Sequence, residues 1–170
     1  MSWVHLHLAL NHVPVLGPFF VALLLMTAAI RRNDELLRIS LWAFLILSVV
    51  SIPIKFTGDF AYDEVRDAQW MSSELAEAHE QAADQATTGV FLLGVVAVIG
   101  LVVSRKQQRV PSWVTALLLV LSLVTFALMA RAANSGGLLR HEEIRPVGQA
   151  GGDQISWRSR IAQGNQKSTV

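Results

Sequence analysis

The sequence predicts an all-α fold, a four-helix transmembrane bundle, and three observations lead to it. Four apolar stretches of roughly bilayer-crossing length follow one another along the chain. The connections between them alternate between short and basic and long and acidic. Charged residues make up 16% of the chain, well under the roughly 25% of an ordinary soluble domain. A backbone in lipid has to satisfy its own hydrogen bonds, so such stretches take the form of helices. A soluble bundle would show polar helix faces that these segments lack.

The first span covers about residues 4–30. Its start lacks the positively charged region of a signal peptide and its apolar run is longer than a leader's, so it is expected to be retained as a membrane helix. Pro14 and Pro18 predict a kink beside Asn11 and His12. RRNDELLR (31–38) turns the chain into the second span, residues 38–57. The long link that follows carries Asp59, Asp63, Glu64, Asp67, Glu74, Glu77, Glu80 and Asp84 against only Lys55 and Arg66. Much of it, ELAEAHEQAADQA, is strong helix-forming sequence. The third span, residues 73–104, is therefore expected to begin near Ser72 or Ser73 with a serine cap and to project beyond the membrane surface. Gly89, Gly94 and Gly100 lack the spacing of a helix-dimer motif and read as weak packing signals. SRKQQRVPS (104–112) is the second short basic turn, and the fourth span covers residues 112–134. Gly136 and Gly137 predict its end, after which the chain would turn back over the bundle. Residues 1–146 form the expected membrane domain, and 147–170, rich in Gly, Gln and Ser, an extended polar tail.

The basic turns hold Arg31, Arg32, Arg38, Arg105, Lys106 and Arg109. By the positive-inside rule they face the cytoplasm of a bacterial inner membrane, which puts both termini and the acidic link in the periplasm. Arg140, Arg145, Arg158, Arg160 and Lys167 near the C-terminus run against that assignment. Cysteine is absent, which excludes disulfides, thiolate metal sites and thiol nucleophiles. A net charge of +1 with no concentrated basic face excludes nucleic acid as a partner.

The five histidines, His5, His7, His12, His79 and His141, carry the functional signal. Counting about 20 residues from the basic end of each span places the opposite boundary near Asn11, Asp84 and residues 131–133. All five therefore gather at the end away from the basic turns. His5 and His12, seven apart, share a helix face, and His7 points away from both. Three readings follow. In the first, His12 and His79 clamp a b-type haem, with Ala82, Ala83, Ala86 and Gly89 admitting the flat macrocycle and Arg131 and Lys55 pairing its propionates. In the second, histidines hold zinc or copper, though no H-x-x-x-H or H-E-x-x-H spacing is present. In the third, the imidazoles simply sit among lipid headgroups, in a non-catalytic subunit of a larger membrane complex.

NHVPVLG (11–17), AHEQAA (78–83) and ARAANSGGLLRHEEI (130–144) resemble a widespread group of bacterial four-helix inner-membrane proteins. Its members open the first helix with a His-x-Pro turn and the third with a histidine, and follow the fourth with a Gly-Gly-His segment. The resemblance covers about residues 1–147 and implies that His12, His79 and His141 are the positions that matter, with His5 and His7 secondary. It brings no activity with it. The expectation is an electron carrier or complex subunit rather than a stand-alone enzyme. It would hold one haem near the periplasmic face, with His141 capping or replacing a ligand. Redox subunits would dock through the acidic link and the tail.

Overall fold

The computed structural model describes residues 1–68 and 70–141, apart from the side chain of Arg140. The expected tail, and Glu142 beside His141, lie outside the described residues. The described chain is helical: α1 (Trp3–Leu10), α2 (His12–Ile30), α3 (Asp34–Val65), α4 (Ser73–Gln107) and α5 (Ser112–Arg140). With α1 and α2 counted as one interrupted span, four helices are long and apolar enough to cross a membrane, the build of a multi-pass membrane protein.

Each boundary has a local cause. Asn33 caps α3 by accepting from Leu36 N at 3.0 Å, and Ser72 caps α4 by accepting from Leu75 N at 3.4 Å. Arg32 (φ 50) and Gln108 (φ 60) take the left-handed conformation that lets α2 and α4 stop and the chain reverse. The break between α1 and α2 follows from Pro14. Having no N–H, it leaves the carbonyl of Leu10 without its helical partner, while Asn11 N still reaches His7 O at 2.9 Å. The helix bends there without ending.

Neighbouring helices run antiparallel in the ring α2–α3–α4–α5, with α5 closing back on α2 and little contact across the diagonal. Above the bend, α1 leans onto α3. The buried seams follow a three-and-four spacing. In α4 it runs through Leu75, Ala82, Ala86, Val90, Leu93, Ala97 and Ser104, and in α2 through Pro14, Pro18, Leu25 and Ala28. One core cluster, around Phe44, Leu41, Leu93 and Leu118, fills the basic half, and a second, around Ala86, Val90 and Met129, fills the acidic half. The glycines of α4 read from sequence as weak signals lie under side chains of adjoining helices. A Cβ on Gly89 would meet Thr125, one on Gly94 would meet Ser48, and one on Gly100 would meet Val114.

Two boundaries differ from expectation. The second span continues to Val65 because Ile54, Thr57 and Ala61 carry its buried seam on past the apolar stretch. The fourth runs through Gly136 and Gly137 to Arg140, since neither glycine adopts a positive φ.

At the basic end Arg38 Nη2 donates to Gln108 O at 2.8 Å and Asp34 Oδ1 accepts from Val110 N at 3.2 Å, tying the two short turns together. At the acidic end Glu64 accepts from Trp3 N at 2.8 Å, and the Trp3 ring stacks on Phe60 at 4.7 Å. The N-terminus, the link between α3 and α4 and the end of α5 therefore share one end of the bundle.

Candidate functional site

His7 and His79 turn into the bundle at its acidic end, whereas His5, His12 and His141 are exposed. His7 lies seven residues before Pro14, so it continues the buried seam of α2 across the bend. His79 lies four residues after Leu75 and three before Ala82, within the buried seam of α4. Helix register thus carries both imidazoles inward.

Their hydrogen bonds fix which nitrogen carries the proton. His79 Nδ1 is 3.0 Å from Ala132 O and 3.2 Å from Ser135 Oγ. A carbonyl only accepts, so Nδ1 is the donor and bears the hydrogen. Ser135 gives its own proton to Ala132 O at 2.9 Å, which leaves its oxygen able to accept from His79 as well. His7 Nδ1 is 3.0 Å from Thr57 Oγ1, and the Thr57 hydroxyl donates to Ile54 O at 2.6 Å. With that proton committed, Thr57 accepts and His7 Nδ1 donates. Both neutral rings are thereby the Nδ1–H tautomer, which leaves Nε2 as the nitrogen with a lone pair. A hydrogen-bonded Nδ1–H opposite a vacant Nε2 is the arrangement in which histidine binds metals.

Each ring lies over a glycine. A Cβ at Gly58 would sit 3.1 Å from His7 Cε1, and one at Gly136 would sit 3.0 Å from His79 Cε1. The two imidazoles are near enough to interact electrostatically across the end of the bundle.

The other residues singled out from sequence have different surroundings. His12 begins α2 with its side chain exposed, and His141 follows α5, its backbone N–H closing the helix onto Gly137 O at 2.9 Å. Lys55 is paired with Asp84 at 2.6 Å, and Arg131 donates to Gln85 at 3.3 Å, so both cations brace neighbouring helices. The small-residue face expected to admit a macrocycle is filled: Ala82 and Ala86 pack with Met129 and Ala132, and Gly89 lies under Thr125. The resemblance implies that His7 is secondary, whereas the structure turns it toward Thr57. Its seven-residue spacing to Pro14 was the available signal that it faces inward.

Among the described residues no three His, Asp or Glu side chains converge as a metal-ion ligand set. Comparison with protein-family models, curated proteins and solved structures finds no match.

Proposed function

We propose that this is a membrane-embedded electron-transfer protein whose His79 and His7 would hold one b-type haem at the acidic end of the bundle. The observation that carries this reading is the matched pair of locked tautomers. Two imidazoles from different helices are each held through Nδ1 and each present Nε2 at the same end of the molecule. A donor set of two imidazoles suits a haem, which needs few donors from the protein, better than it suits a tetrahedral zinc ion. The bare Cα atoms of Gly58 and Gly136 let each ring approach a neighbouring helix closely. A haem held there would supply one-electron chemistry.

The protein's own groups orient and tune. Ala132 O and Thr57 Oγ1 hold the rings and raise the basicity of Nε2. Lys55 and Arg131, on α3 and α5 near this end, are the cations available to propionates, each after giving up its present partner. By the positive-inside rule the basic turns lie in the cytoplasm of a bacterial inner membrane and the acidic end in the periplasm, where partner redox subunits would dock.

The absorption spectrum of the purified full-length protein tests the proposal. A Soret band is expected in the wild type, lost in His79→Ala and in His7→Ala and retained in His12→Ala, with helicity by circular dichroism unchanged. A colourless preparation sinks the reading, and in that case stoichiometric zinc or copper by elemental analysis would establish the metal-ion alternative. Loss in His12→Ala with retention in His7→Ala would move the second ligand onto α2.

A further inference from the structure

The basic end carries a feature that the haem site does not use. Gly94 and Ser48 bring α4 and α3 into close approach, and between that point and the basic turns the two helices leave a groove on the outside of the bundle. A hollow of about 350 Å³ lined by Leu45, Ser48, Gly94 and Val98 adjoins one of about 160 Å³ that shares Leu45 and Val98 and reaches Trp42 and Arg105. From Gly94 to Arg105 the groove follows α4 for about 16 Å at 1.5 Å per residue. Its walls are almost wholly apolar until its end, where an indole and a guanidinium stand together. Arg38, the cation facing this end from α3, is committed to Gln108 O, whereas Arg105 makes no ion pair among the described residues.

We propose that this groove holds an acyl chain of an anionic phospholipid, with its phosphate on Arg105 and its glycerol region against Trp42. The chemistry of the groove changes along its length in the order that a lipid's does. An apolar slot takes hydrocarbon, tryptophan belongs at the level of the glycerol backbone, and an unpaired guanidinium binds phosphate through two parallel hydrogen bonds. A zwitterionic lipid would fit the slot but would bring its own cation to Arg105.

Native mass spectrometry of the full-length protein, released from detergent containing equal amounts of phosphatidylglycerol and phosphatidylcholine with the same acyl chains, reads this directly. The first bound lipid should favour phosphatidylglycerol about fivefold, the equivalent of about 1 kcal/mol for one cation at an anionic membrane. Arg105→Gln should bring the two lipids to parity, while Lys106→Gln, one residue on, should keep the preference. Val98→Phe, which narrows both hollows, should lower retention of both lipids, with an unchanged melting temperature in detergent showing that the fold is intact. Parity in the wild type overturns the proposal, as does an equal loss in Lys106→Gln, which would reduce the effect to the general field of the basic end. Displacement of the lipid by glycerol phosphate at equal concentration would show a headgroup-anion site with no role for the groove. A dimeric mass with no lipid retained would give the groove to a second copy of the chain.

Discussion

Gly136 and Gly137 are adjacent in α5, yet a Cβ on the first would press on His79 while a Cβ on the second would meet nothing within 4 Å. Gly136→Ala is therefore expected to push the imidazole off the helix, lengthen its bond to Ala132 O and destabilise the protein by about 1–3 kcal/mol, as overpacking does. Gly137→Ala should be neutral or stabilising by about 0.4–1 kcal/mol, because alanine costs less entropy to hold helical. Thermal unfolding of both variants in the same detergent decides the matter, and equal melting temperatures would mean that His79 does not rest on α5. The same residues show what the sequence could and could not tell. That the histidines gather at one end was legible, because it requires only counting residues from the ends of the spans. Which of them face inward was not, because that depends on helix rotation. Asn11 and His12 stand beside a proline and look special, but the bend they mark carries His7 onto Thr57 and leaves His12 exposed.

The α1 segment has only eight residues and none of them is buried, so its position depends on a few contacts with α3, the His7–Thr57 bond in its middle and those at its start. Glu64, from the last turn of α3, places a carboxylate on the first N–H groups of α1, reaching Trp3 N at 2.8 Å and Val4 N at 3.4 Å. Negative charge there meets both the unpaired donors and the positive end of the helix dipole. Glu64→Ala should cost about 1 kcal/mol locally, and amide exchange at Trp3 and Val4 should quicken by about fivefold while exchange in α4 stays as it was. Unchanged exchange at those two amides would show that the Trp3–Phe60 contact and the His7–Thr57 bond hold α1 without the carboxylate. None of this could be read from the sequence, since a carboxylate and a helix start 60 residues apart carry no local signature. The helices themselves were legible. Four apolar runs, a serine before ELAEAHEQAADQA and two basic turns gave their number and order. Their ends beyond the apolar runs were less so, because past that point the seam is kept by single residues such as Thr57, Ala61 and Gly136 rather than by hydrophobicity.

For the molecule as a whole, function depends on which side of the membrane the histidine end faces, and the two ends differ sharply in charge. One holds Arg31, Arg32, Arg38, Arg105, Lys106 and Arg109 in or beside short turns. The other holds the acidic link, in which Arg66 is flanked by Asp63 and Asp67. Short loops rich in Lys and Arg resist translocation, whereas acidic residues contribute little to orientation, so the basic turns are the stronger signal and should remain in the cytoplasm. Because the chain contains no cysteine, a single introduced thiol reports its own location. Glu74→Cys, in the exposed first turn of α4, should react with a membrane-impermeant maleimide in intact cells. Gln107→Cys, at the exposed basic end of the same helix, should react only after the membrane is opened. The reverse pattern would put His7 and His79 on the cytoplasmic face and remove periplasmic redox proteins as their partners. The pair of imidazoles would survive that result, because their Nδ1 bonds are made within the bundle and depend on no orientation in the membrane.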